Sequence, residues 1–283
     1  MKPIRILLQT TIPFVEDDWN IRRFSLLARE LSRMSDVEVT ARDRATASED
    51  PVLLELDRSE FDEIWILGVD VGAGLSSAER AALVRFRARG GGLLTARDHQ
   101  DVGCCLAELP GPGAANYFHS VNLDPVEENR HDDDRFTRSV SWPNYHSGRN
   151  GDVQRIKPVE PVHPLLRRGD GTVLELLPSH PHEGAIGVPT GEPARPIACG
   201  RSLVTGKNFS LIVAFEGGRD LGRAVVESSF HHFADYNWDT RMGAPSFVDD
   251  PESTAVTEHP DLLEDVRTYV RNVARWLGRS NRA

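Results

Sequence analysis

The sequence predicts an α/β fold: a doubly wound, mostly parallel sheet carrying a long irregular insertion. Three observations predict it. Short apolar runs of strand length alternate with amphipathic helical stretches through the N-terminal third. The connections between them are short, which implies βαβ units and parallel strands. The regular pattern breaks off in the middle of the chain and then returns.

Residues 4–9 form a compact apolar run, the pattern of a buried strand. A polar loop follows. From about Trp19 the stretch WNIRRFSLLARELSRM sets Ile21, Phe24, Leu27, Leu31 and Met34 on one helical face. Residues 37–41 alternate as a second strand, and 44–60 read as a connector with a short helical piece. Residues 64–68 are a third, buried strand. Ser76 or Ser77 caps the helix SSAERAALVRFRARG, with Glu79 in its first turn and Gly90 past its end. GGGLLTA gives the fourth strand.

Residues 106–160 are dense in Gly, Pro, Asn and Asp and lack periodicity. So long a stretch without elements is uncommon inside a compact domain. Its Trp, Tyr, Phe and His residues argue for ordered packing. It reads as an insertion over the sheet of one domain spanning 1–283. Strand-like runs return at 173–177, 196–203, 209–215 and 223–229. A helix over 261–277 closes the chain, with Leu262, Val266, Val270, Val273 and Leu277 on its apolar face.

Composition excludes several function classes. A net charge of −10 with scattered basic residues argues against a nucleic acid or an anionic membrane as partner. Cys104, Cys105 and Cys199 make neither a disulfide framework nor a CxxC zinc site. The apolar run near the N-terminus is too short for a signal peptide or a membrane span, so the expected compartment is the cytoplasm. A small polar molecule is the expected partner, and a homo-oligomer is compatible with this reading.

At GGGLLTARDHQD, the helix, Gly-rich turn, buried strand and sharp polar turn resemble the nucleophile-elbow region of class I glutamine amidotransferase-like proteins. The likeness is greatest to the ThuA-like (trehalose-utilisation) branch. ILGVDVGAG followed by SSAERAAL, the HPLL segment at His163, and GRAVVESSFHH belong to the same pattern. The resemblance spans roughly residues 1–105 and 160–277. It implies a flavodoxin-like sheet and a small hydroxylated, sugar-like substrate. The chain departs from the family pattern at one point. Amidotransferases carry a cysteine at the elbow, and here the elbow reads Ala96-Arg97-Asp98-His99. Cys104 and Cys105 fall further on, in a predicted helix, where a buried cysteine is an inert small hydrophobe. Glutamine hydrolysis through a thiolate is therefore not expected.

Two constellations can carry chemistry. Asp98, His99, Gln100 and Asp101 directly follow a predicted strand, where open parallel sheets place their ligand crevice. They can supply an acid–base pair or metal ligands; equally, Asp98 or Asp101 can cap a helix starting near Val102. His231 and His232 follow another strand, close to where the family's late histidine sits. Adjacent residues at a strand end point opposite ways, so at most one of them faces the crevice. Asp235 can orient it, as in a generalised triad. The competing reading is an aromatic packing cluster of Phe230, Phe233, Tyr236 and Trp238.

Substrate contacts are expected from three places. Asp17 and Asp18 lie in the loop after the first strand and can bind hydroxyls or a cation, or cap the next helix. Asp70 lies in the Gly-rich turn after the third strand, which lacks a Walker lysine and the GxGxxG order. Tyr145 and His146, in the insertion, can lid the crevice. His180 and His182 have HxH spacing but sit on a Pro-rich turn and read as turn residues. A site built from His99, His231 or His232 and a carboxylate suits zinc, iron or manganese, although no metal or other cofactor is assigned.

These residues lead first to a hydrolase or lyase using His/Asp acid–base chemistry on a small hydroxylated molecule. A non-catalytic binding or assembly protein and a metal-dependent hydrolase are the alternatives.

Overall fold

The computed structural model describes residues 2–130, 151–180, 182–201, 206–218, 220–249 and 251–278. The central sheet has eight strands: β1 (Ile4–Pro13), β2 (Val37–Arg44), β3 (Glu63–Leu67), β4 (Gly92–Ala96), β5 (Lys157–Pro158), β6 (Ala194–Arg201), β7 (Asn208–Phe215) and β8 (Ala224–Glu227). Their spatial order is β2-β1-β3-β4-β8-β7-β6-β5. The run from β2 to β8 is parallel, and β7, β6 and β5 extend it antiparallel. This is the mostly parallel, flavodoxin-like sheet that the sequence predicts.

Three longer helices cover the sheet: α1 (Ser25–Ser32), α2 (Ser77–Ala88) and α3 (Asp261–Gly278). Alternate side chains of a strand point to opposite faces. Ile6, Leu8, Trp65, Leu67 and Leu94 therefore share one core with α1 and α3. Leu7, Ile64, Ile66 and Leu93 share the other with α2. Burial on both faces is why these strands read as unbroken apolar runs. α2 starts at a capping box: Ser76 Oγ accepts from the Glu79 N–H, and the Glu79 carboxylate accepts from the Ser76 N–H.

The structure departs from the sequence reading at two helices. The helix expected from Trp19 to Met34 is split into a 3₁₀ turn, Ile21–Phe24, and α1. Asn20 caps the turn through the Arg22 N–H. Asp235, from across the molecule, accepts from the first N–H groups of α1, at Leu26 (2.7 Å) and Ser25 (3.1 Å). The helix expected near Val102 is reduced to one 3₁₀ turn, Cys104–Leu106. Gly103 stands at its start with φ +81°, which breaks the helical path. Neither Asp98 nor Asp101 acts as the expected helix cap. Asp101 accepts instead from the His119 and Ser120 N–H groups.

The described parts of the insertion are tied into the body. Asn116–Tyr117 pairs with Ala185–Ile186, Asp152–Arg155 pairs with Leu176–Ser179, and β5 joins the sheet edge beside β6. The run expected at 173–177 thus contributes its strand to a small hairpin-like pair outside the central sheet. Among the described residues, no helix is long and apolar enough to cross a membrane.

Candidate functional site

A cavity of about 640 Å³ opens at the carboxyl ends of the parallel strands. Thr11 lines it from β1, Asp70 from after β3, Asp98 and His99 from after β4, and His231 from after β8. β2 and β3 flank β1 on opposite sides, so the crevice lies at a topological switch point, where open α/β sheets bind ligands. Thr11 Oγ1 ties the two strand ends together by accepting from the Val69 and Asp70 N–H groups at 2.9 and 3.1 Å.

Five side chains converge on one side of this cavity: Asp98, His99, His180, His182 and His231. His231 Nε2 lies 3.0 Å from Asp98 Oδ2, and His99 Nδ1 lies 2.8 Å from the same oxygen. The His99 contact falls outside hydrogen-bond geometry. His180 stacks on His231, with centroids 3.6 Å apart. His182 meets His99 edge-on at 3.9 Å. The Nε2 atoms of His180 and His182 are 3.2 Å apart. Asp98, His99, His180 and His182 each offer one ligand atom, and those atoms all lie within 4.8 Å of one another.

Local structure explains the convergence. Arg97 turns inward behind the elbow and is buried, donating to the Tyr117 and Gln100 carbonyls over the Phe118 ring. Burial pushes its guanidinium down to about 9. Gln100 then takes φ +50°, which closes the turn. The Phe230 N–H donates to the Arg97 carbonyl at 2.6 Å and joins the late turn to the elbow. His182 and Glu183 lie against both turns, and Gly184 permits this. A Cβ on Gly184 would stand 2.6 Å from the Asp98 carbonyl oxygen and 2.7 Å from that of Ser228.

The electrostatics suit a cation. Burial alone would raise the Asp98 carboxyl, but His99 and His231 overcome it and hold the group well below the usual carboxylate range. Burial, reinforced by the neighbouring imidazoles, pushes His180 well below its ordinary value. It is therefore neutral and keeps a lone pair for coordination. Asp98 is buried, yet its Oδ1 has no hydrogen-bond partner among the described residues. A buried carboxylate oxygen without a partner is costly, and a cation among these imidazoles would satisfy it.

Other expected site residues lie elsewhere. His232 does not face the cavity. It is fully buried, with Nδ1 3.1 Å from Glu227 and Nε2 3.2 Å from Glu183. Burial opposes its charge, but the two carboxylates prevail and hold the imidazolium up to about 10. Tyr269 donates to Glu227, and Ser228 donates to Glu183, completing the network. Asp235 does not orient His231 or His232, because its carboxylate is occupied in capping α1. Asp17 is exposed outside the cavity wall and accepts from Ser246. Asp18 and Asp70 do line the cavity. Tyr145 and His146 lie outside the described residues.

His180 and His182 also line the candidate site, where the sequence reading made them turn residues. Their signal was the HxH spacing followed by Glu183 and Gly184. None of the three cysteines lines the cavity. Cys105 is buried and donates to Asp70 Oδ1 at 3.0 Å, and burial, reinforced by that carboxylate, pushes its pKa well up.

No family model and no curated protein sequence matches the chain. Solved structures do. A cytoplasmic protein of Salmonella typhimurium aligns over 97% of this chain and 99% of its own, at 11% identity and TM-score 0.51. A second, from strain LT2, gives the same coverages at 10% identity and TM-score 0.52. A ThuA-like protein from Parabacteroides merdae covers 98% of this chain and 90% of its own, at 14% identity and TM-score 0.51. The chain shares the mostly parallel α/β fold of these structures. At these identities the likeness extends to architecture alone.

Proposed function

We propose that this chain is a divalent-metal-dependent hydrolase of a small polar molecule, with Asp98, His99, His180 and His182 as metal ligands. One observation carries the reading: four potential ligand atoms lie within 4.8 Å of one another, around a buried carboxylate whose Oδ1 has no hydrogen-bond partner among the described residues. Tetrahedral coordination with bonds of about 2.0–2.1 Å sets ligand atoms about 3.3 Å apart. The 3.2 Å between His180 and His182 fits that spacing. Imidazoles with one carboxylate suit zinc, iron or manganese.

A bound ion would polarise a carbonyl and lower the pKa of water. The remaining work falls to the chain. His231 is bonded to Asp98 and packed edge-on against Trp19 at 4.8 Å, so it orients the carboxylate. It is also the histidine outside the ligand set that is best placed to move a proton. The ThuA-like resemblance contributes the expectation of a hydroxylated substrate. The Asp98–His231 bond also favours a second reading, acid–base catalysis without an ion.

Hydrolysis of p-nitrophenyl esters by chelator-treated and zinc-, manganese- or iron-reloaded protein separates the two readings. The metal reading expects activity that chelation removes, that reloading restores and that His182→Ala loses. Activity that survives both chelation and His182→Ala would leave the acid–base reading standing and remove the metal one.

A further inference from the structure

The cavity wall contains no lysine or arginine among the described residues. The neighbouring guanidiniums are engaged elsewhere. Arg97 donates to backbone carbonyls, Arg44 pairs with Glu79, Arg22 lies over Phe14 and pairs with Glu16, and Arg23 donates to the Gly243 carbonyl. Beyond the metal ligands, the wall carries three more carboxylates: Asp18, Asp70 and Asp249. Asp98 with a divalent ion leaves one net positive charge, so these three make the cavity negative overall. Among the described residues the wall offers a phosphate or carboxylate no guanidinium or ammonium partner, and its carboxylates repel one.

The remaining wall is largely apolar. Trp19 is buried at the cavity, while Val71 and Phe247 are exposed at 83% and 59%. Aromatic faces beside carboxylates suit an ammonium group on an apolar body.

We infer that the substrate of this site is a small amine-bearing, cationic amide or ester with an apolar body, and that anionic analogues are rejected. This rests on the metal-dependent reading above. Its geometric support is the cavity itself, with Asp98 at its inner side and the three carboxylates along its wall. A hydroxylated body is compatible with the same wall, but a phosphorylated or acidic sugar is not.

Three benzohydroxamate probes test it, identical except for a para aminomethyl, methyl or carboxylate group. Affinities are measured calorimetrically on zinc-loaded and chelator-treated full chain. The aminomethyl probe is expected to bind the loaded protein at least about tenfold more tightly than the carboxylate probe. The double variant Asp18→Asn/Asp249→Asn should shrink that ratio to within about threefold. Asp18 is half-buried and Asp249 exposed, and asparagine keeps an oxygen able to accept from the Trp19 N–H. Zinc-dependent binding that favours the carboxylate probe, or that ignores probe charge, overturns this inference and leaves the metal reading intact. The expected ratio persisting unchanged without zinc overturns the metal reading and keeps the charge preference. Failure of all three probes on both forms overturns both.

Discussion

Asp98 is the residue on which the site turns, because it touches His99 and His231 and still presents a buried oxygen with no hydrogen-bond partner among the described residues. Removing a ligand and removing its orienting neighbour should have different consequences. His182→Ala is expected to abolish stoichiometric metal binding. His231→Gln should retain it with affinity weakened roughly 10–100-fold, the usual effect of losing an orienting partner. Competition against a chromophoric chelator measures both, and parental affinity in either variant would contradict the assignment. Asp98, His99 and His231 were legible in the sequence because each follows a strand, and the fold class places strand ends at the crevice. His180 and His182 were not. They approach through a turn that no strand positions in the central sheet, and they reach the cavity because Gly184 lets that turn lie against both others. His231 and His232 illustrate a finer limit. Alternation allows at most one of the two to face the cavity, but only packing decides which.

Element boundaries follow the same division between local and distant causes. The α2 capping box was readable because Ser76 and Glu79 are neighbours in the chain. The start of α1 was not, since its capping carboxylate is Asp235, 210 residues away from Ser25. Asp235→Ala is expected to cost about 0.5–2 kcal/mol in urea unfolding and to leave metal affinity unchanged. Gly184→Ala forces a Cβ onto two backbone oxygens, so the segment carrying His180 and His182 must shift. An overpacking cost of about 1–3 kcal/mol is expected, together with weakened metal binding. Loss of stability with metal affinity untouched would show that this segment does not shape the site.

At the scale of the molecule, β1–β4 and β6–β8 were legible from apolar runs, whereas the edge strand β5 was not, because it comes from the insertion and is defined by its pairing with β6. Behind the cavity, His232 pins the HPHEG segment, through Glu183, to the end of β8, through Glu227. The folded chain holds the His232 proton up to about pH 10, and the unfolded chain releases it near 6.5. This stabilisation is full below about pH 6.5 and is lost as pH rises through about 10. Urea unfolding between those values should show falling stability, and His232→Gln should flatten the slope. An unchanged slope would remove His232 as its source.

The central claim is the metal centre, and metal content tests it most directly. The full chain is incubated with zinc, manganese or iron(II), desalted, and measured by elemental analysis and X-ray absorption. The expected result is one ion per chain with nitrogen and oxygen ligands only, absent from His182→Ala. A chain that retains none of these metals, or that binds one equally well without His182, would contradict the account.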